Sequence, residues 1–521
     1  MLLNEEEKQP GQFPVERRVK TDTLCLHFSW PLFFMILQIF LFVIICGRSF
    51  SFLHPADSNG LRCGIDNSLF YPNLSDFSDH RYLTFQSKCS NECEGIKYFS
   101  FCIPTERKKL SKSPLSFRII NDTFEYRYFG LLMIIITFIF SFPIYFIFAK
   151  FSLYITYFLL FSVTGSVVFI VAKSLLNHFY LFAVEVLCFG ISYLFVLLYI
   201  KRRIHVIGPI VTTSFKFLMK SKDIFLAPIL ILLFSLIIFS FIVFGVLFSN
   251  GVAQPIVSSS GLLSGSYLQL HQHFSLLITK LLFPFLGIWI IEFVFVLTRF
   301  AVSFITASLY FKHPKVSFIK ALQIGLKYHA GTIFFGSFVV FLLEFLSTLF
   351  MAMKKWLKKT KNSFVRFLCR CILNLCFLLV KFVGEINRLS FVYTAVEGVS
   401  FWDGCKKASK SFQIDSVLSI TLLLNNILFG ARILIASIVA ILTYKYIDGL
   451  GLMKPVIPVI VVPLLVYFTL SAIDLVIAAS SQTLLVCMIE DARDDGSYAP
   501  FELQNIMNWM KERVGRVNFS I

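Results

Sequence analysis

The stretch PVIPVIVVPLLVYFTLSAIDLVIAASSQTLLVCM, Pro455–Met488, holds one charged side chain, Asp474, before the chain turns acidic at Glu490, Asp491, Asp494 and Asp495. About 17 to 25 apolar residues in a helix cross the hydrocarbon core of a bilayer, so this run is long enough. Composition decides between lipid and the centre of a large soluble domain. The chain has 521 residues, 57% hydrophobic and 15% charged, with a mean hydropathy of +0.77. Soluble domains carry roughly 25% charged residues. With so little charge the chain cannot cover its surface for water, and lipid is its solvent.

Outward from this run, comparable ones lie at Trp30–Cys46, Phe129–Ala149, Leu153–Val171, Tyr180–Ile200, Ile224–Phe248, Leu276–Leu309, Thr332–Met353, Phe367–Val383 and Ser416–Tyr444. Together they predict an all-α polytopic membrane protein of about ten transmembrane helices. Trp30–Cys46 has no small-residue cleavage site after it, so it reads as a retained span and not a signal peptide. The expected divisions are a cytoplasmic tail at 1–29, a first helix at 30–46, an extracellular loop at 47–128, a helical domain at 129–488 and a cytoplasmic tail at 489–521.

Loop charge sets the orientation. KRRIHVIGPIVTTSFKFLMKSK, after the fourth run, carries six Lys or Arg, whereas Ser249–His273 carries none. Basic short loops stay in the cytoplasm, which places both termini there. KKWLKKTK, with Lys354, Lys355, Lys358, Lys359 and Lys361, falls on the wrong side under strict alternation. Either the rule is overridden there or a flanking segment does not cross, and Phe367–Val383, with Arg370, Asn374 and Lys381, is the weaker flank. The net charge of +18 resides largely in such loops, with no basic and aromatic interleaving on a soluble domain, and nucleic acid is excluded as a partner. No phosphate-binding loop, zinc-helix motif or nucleophile elbow is present, so neither an enzyme nor a cofactor is expected.

The loop at 47–128 contains Cys63, Cys89, Cys93 and Cys102 beside the sequons at Asn73 and Asn121. Cysteines beside glycosylation acceptors point to an oxidising exterior and two disulfides, for which three pairings are open. Zinc on the Cys89-x3-Cys93 spacing is the alternative.

Inside the runs, acids are few: Glu185, Glu292, Glu344 and Asp474. An acid at mid-membrane costs about 2.5 to 3.5 kcal/mol on insertion scales, so it is normally functional or paired. Glu292 lies three positions after Trp289 and seven before Arg299, on one helix stripe. Trp289 and Glu292 read as a cation path gated by Arg299, or Glu292 and Arg299 as a structural ion pair. Asp474 and Gln482, eight apart, read as a second polar pair, with Asp474 either binding a cation or neutralising Arg432. Glu344 stands among Phe and Leu, where proton exchange is one use for it. Asn387, Arg388, Asn425 and Asn426 read as interhelical glue, and Trp30 and Trp402 as interfacial anchors. His271 and His273 read as a solvated pair before a metal site. The terminal acids, Glu490 and Asp491 foremost, lack calcium-loop spacing and read as partners of basic cytoplasmic loops such as KRRIH and GCKKASK, a latch for an inward gate.

Four stretches in order carry a resemblance: RCGIDN at Arg62–Asn67, WIIEFVFVLTRFAVSFITASLYF from Trp289, FVGEINRLSFVYTAVEGVSFWDGCKKASKSF, and QTLLVCMIEDARDDGSYAPF at Gln482–Phe501. Together they resemble the choline transporter-like family. This sequence has Gln482 where that family has Asp, and Glu292 where it has Gln. The resemblance implies a ten-span plasma-membrane transporter that moves choline or a related amine such as ethanolamine by alternating access, without ATP. A scramblase-like lipid handler and a non-transporting scaffold are the rival expectations.

Overall fold

The computed structural model describes residues 18–27, most of 54–104, 128–141, 206–249, 254–259, 266–271, 274–357, 363–413, 417–449, 456–493 and 498–518, with isolated positions between 34 and 187. The runs Trp30–Cys46, Leu153–Val171 and Tyr180–Ile200 fall largely outside these residues. So do Glu185, Asn73, Asn121, His273, Asp494 and Asp495.

The described helices, in chain order, are α1 (Tyr128–Ser141), α2 (206–220), α3 (Leu226–Ser249), α4 (Phe274–Tyr310) and α5 (Phe318–Tyr328). They continue as α6 (Ala330–Leu357), α7 (Ser363–Glu397), α8 (Phe401–Gln413), α9 (Val417–Gly449), α10 (Val456–Arg493) and α11 (Gln504–Asn518). Five stretches among the described residues are long and apolar enough to span a bilayer: Lys222–Val246, Lys280–Tyr310, Ala330–Met353, Leu428–Tyr446 and Pro458–Arg493. The protein is a mostly helical, multi-pass membrane protein. Leu233, Leu236, Ile237 and Phe239 of α3 point outward, an apolar exterior suited to lipid chains.

α4 and α10 form the centre, packing on each other, with α3 and α7 against both. From Thr469 to Ala492, α10 is buried on nearly every face, which a helix hydrophobic all round requires. Hydrophobic driving force between helices is weak in lipid, so close approach and polar contacts hold them together. The small residues of AASSQT allow that approach. Ser481 Oγ lies 2.9 Å from Ser214 Oγ of α2, and Thr306 of α4 donates to Ser480 Oγ at 3.2 Å.

α7 departs from the sequence expectation. It does not stop near Val383 but continues unbroken to Glu397, so the EINR tetrad (Glu385–Arg388) lies inside the helix. Six charged residues punctuate α7: Arg366, Arg370, Lys381, Glu385, Arg388 and Glu397. It ends at Gly398, whose φ of +72° is the left-handed conformation glycine adopts without strain. Ser400 then caps α8: its hydroxyl accepts from Asp403 N–H and donates to the Asp403 carboxylate at 2.7 Å.

The cysteine-containing segment forms a small sheet of β1 (Tyr82–Leu83), β2 (Cys89–Ser90), β3 (Ile96–Tyr98) and β4 (Phe101–Ile103), in the order β2-β1-β4-β3. Disulfides join Cys63 to Cys89 and Cys93 to Cys102. Asn67 of RCGIDN is buried and closes that turn, accepting from Arg62 N–H and donating to Arg62 C=O. The uncharged loop after α3 holds a hairpin of β5 (Gln254–Ser259) and β6 (Ser266–His271). With so little apolar core, the four-stranded sheet depends on its cross-links. Replacing Cys63 and Cys89 by serine is expected to cost about 2–5 kcal/mol locally, measured as a rise in protease sensitivity of residues 54–104.

Candidate functional site

Five helices contribute to one polar cluster within the apolar bundle: α4 with Glu292 and Arg299, α6 with Glu344, α7 with Glu385 and Arg388, α9 with Asn425 and α10 with Gln482. One turn of α7 places Glu385 and Arg388 on one face. Arg388 bridges two carboxylates, donating to Glu344 Oε1 at 2.7 Å and to Glu385 Oε1 at 3.1 Å. The second Glu385 oxygen accepts from Asn425 Nδ2 at 3.0 Å. Arg299 donates to Gln482 Oε1 at 2.6 Å in a fully buried contact. Glu292 lies within electrostatic reach of Glu344, Arg388 and Arg299.

A narrow open cleft between α6 and α7 meets this cluster. Glu344, Ser347, Lys381, Glu385 and Arg388 supply its polar lining, Val340, Leu343 and Val380 its apolar walls. The Lys381 ammonium sits 5.7 Å from the Phe377 ring centroid, one turn back along the helix. Glu344 is 48% exposed, so the cleft is open on its side and not sealed.

Trp289 is buried between α4 and α6, its indole N–H donating to Ser337 Oγ at 3.3 Å. Phe334 and Phe338 pack edge-on against it, with ring centroids 4.8 and 4.9 Å away. Trp289 thus lies one helical turn from Glu292, packed among aromatic rings and outside the lining of the cleft.

The other charged residues singled out above lie elsewhere. Asp474 pairs with Arg432 of α9 at 3.3 Å, and the Arg432 guanidinium stacks 4.5 Å from the Tyr467 ring centroid. Eight residues of helix advance about 80° beyond two full turns, so Asp474 meets α9 while Gln482 meets α4. Glu490 pairs within its own helix, with Arg493 at 2.6 Å, and Asp491 accepts from Tyr310 O–H at 2.9 Å and from the backbone N–H groups of Tyr498 and Ala499. Lys407 of GCKKASK pairs with Glu397 of α7. The terminal acids therefore tie down the end of α10 and the turn after it. Glu385 escapes a search for acids within apolar runs, because EINR reads as following a span that ends at Val383. Its signal is the i, i+3 acid and base inside a helix that goes on.

All seven cluster residues lie between positions 184 and 493, the residues matched by a family model described as plasma-membrane choline transporter. The chain belongs to that family. Among individual members it is 27% identical over 253 residues to choline transporter-like protein 2 of Danio rerio, an alignment covering 44% of this chain and 36% of the relative. It is 26% identical over 240 residues to choline transporter-like protein 5 of Macaca fascicularis, covering 41% and 32%. A third, choline transporter-like 2 of Anopheles gambiae, is 25% identical over 224 residues, covering 40% and 28%. This choline transporter family member thus spans about a third of the length of the relatives it matches.

Proposed function

We propose that this protein carries a monovalent organic cation of the choline class across a membrane, binding it at the α4–α6–α7 cluster by alternating access and without ATP. The observation that carries the reading is charge. Three carboxylates (Glu292, Glu344 and Glu385) face two guanidiniums (Arg299 and Arg388), and the Lys381 ammonium on the cleft wall balances the third. A quaternary ammonium cannot release its charge, and it binds beside these carboxylates in place of that lysine. Trp289 would offer such a cation an aromatic face, worth about 0.5 to 2 kcal/mol, once Phe334 and Phe338 of α6 move off it. Gln482 and Arg299 brace α10 against α4. The relatives' names, choline transporter-like, point to the same chemistry, with ethanolamine as a second amine to test.

In this proposal the chain crosses the plasma membrane ten times with both termini in the cytoplasm. The cysteine-linked sheet lies outside, and Asn73 and Asn121 carry glycans. Handling of a lipid headgroup is the second reading, favoured by the side opening at Glu344.

Uptake of labelled choline into proteoliposomes tests both. Glu385→Gln removes one carboxylate of the cleft and is expected to cut uptake at least tenfold with the fold intact. Glu344→Gln, which removes a second carboxylate of the cleft, should do the same. Uptake unchanged by both substitutions would overturn the site, and no uptake of any amine would overturn the function. Scrambling of a fluorescent phospholipid without choline uptake would favour the second reading.

A further inference from the structure

Residues 18–22 leave the matched family region far behind in sequence, yet they are inserted between the ends of the helices that carry the cluster. Thr21 N–H donates to Tyr328 C=O at 2.9 Å, where α5 meets α6. The Asp22 carboxylate accepts from Thr332 O–H at 2.6 Å and from Phe401 N–H at 2.9 Å, capping the start of α8. Arg18 donates to Thr394 C=O and Ala395 C=O in the last turn of α7, and its guanidinium lies 4.7 Å from the Phe304 ring centroid of α4. Cations are favoured at a helix C-terminus, where carbonyls lack partners. A β-carbon on Gly331 would stand 2.0 Å from Asp22 C=O, so the segment fits only because that position has no side chain.

The side chains form one directed chain. Arg18 Nη1 lies 3.0 Å from His329 Nε2, His329 Nδ1 lies 2.8 Å from Thr21 Oγ1, and Thr21 Oγ1 lies 2.6 Å from Thr332 Oγ1. Because Arg18 can only donate, Nε2 must accept, which leaves the proton on Nδ1. Donation then runs from Arg18 through His329, Thr21 and Thr332 to Asp22. A neutral imidazole is required throughout.

We infer that residues 18–22 are a latch, holding α4, α6 and α7 together at one end of the bundle, and that the latch must release before the cluster can open to that side. The inference rests on the proposed transport function for its purpose, and on contacts alone for its mechanics. Arg18 and Asp22 together touch α4, α6, α7 and α8, and the first three carry all five charges of the cluster. Separating α4 from α6 and α7 at this end breaks those contacts. Leaving them intact keeps that exit shut. In the proposed orientation this end faces the cytoplasm.

Acid is expected to loosen the latch. His329 faces Arg18, Thr21 and the Phe300 ring, with Thr332 and then the Asp22 carboxylate beyond Thr21. Burial, then the neighbouring Arg18 charge, holds its imidazole down to about 3, well below the ordinary value near 6.5. The sign follows: the latch is at full strength above about pH 6.5 and weakens as pH falls from there towards 3. Between pH 6.5 and 5 the local opening constant should rise by up to about 30-fold. Amide exchange at Phe401, corrected for its intrinsic pH dependence, reads this.

The decisive experiment uses the full chain in proteoliposomes with Ser337→Cys as a reporter, a buried position above the latch between α4 and α6. Its alkylation by a membrane-impermeant maleimide is followed by peptide mass spectrometry. Gly331→Ala, which displaces the segment without removing a charge, should speed alkylation at least tenfold. The pair Thr21→Cys and Thr332→Cys, once oxidised, should slow alkylation and choline uptake at least tenfold, with both restored by reductant. Alkylation within twofold of the parent in both variants would overturn the latch. Alkylation that follows the latch while no variant takes up choline would uphold the latch and overturn the transport reading. Uptake that continues through the oxidised pair would overturn the latch and leave that reading standing.

Discussion

Replacing Arg388 with methionine is expected to cost about 2–4 kcal/mol of stability and to abolish choline uptake. The guanidinium bridges Glu344 and Glu385, and without it both carboxylates lose their counter-charge inside the bundle. Removing one partner of a buried pair costs about 3–5 kcal/mol. Arg388 is 32% exposed, and partial screening brings that figure down. Arg388→Lys separates charge from geometry, since an ammonium keeps the sign but not the planar fork that reaches two acids at once. It should retain most of the stability and lose most of the uptake. Thermal unfolding in detergent followed by tryptophan fluorescence supplies the first readout. A methionine variant as stable as the parent would show that Glu344 and Glu385 do not depend on this arginine.

Trp289→Ala carries the other large effect, about 3–5 kcal/mol from the cavity left in the α4–α6 seam. The ring is wedged against Phe334 and Phe338, and its removal leaves both without their partner. Trp289→Phe keeps most of the packing and loses the bond to Ser337, at a cost of about 1 kcal/mol. If the indole face also meets the cation, the phenylalanine variant should show a raised KM with little change in Tm. A purely structural tryptophan would shift Tm alone.

Much of the scaffold is legible from hydropathy alone. The runs Leu276–Leu309 and Pro455–Met488 coincide with α4 and α10 to within a few residues, because each is too long and too apolar to be anything but a helix in lipid. The end of α7 is not legible that way. Six charged residues lower its hydropathy, yet the helix persists because its backbone bonds and its neighbours, not its mean hydropathy, hold it. The candidate site divides along the same line. Trp289, Glu292 and Arg299 share a stripe that helical spacing reveals. The partner of Arg299 is 183 residues away, and no periodicity encodes such a contact. Residues 18–22 are hidden for a further reason: RVKTD looks like an ordinary solvated tail until the folded bundle supplies a site for it.

The count of charges in the cluster has an electrical consequence. With Lys381 included, the site is neutral when empty and carries one positive charge when loaded, so it feels the membrane potential chiefly on the loaded step. One elementary charge crossing the full field is worth about 2.3 kcal/mol per 100 mV. An interior-negative potential would draw the loaded site inward. Uptake would then rise with that potential and fall when it is collapsed.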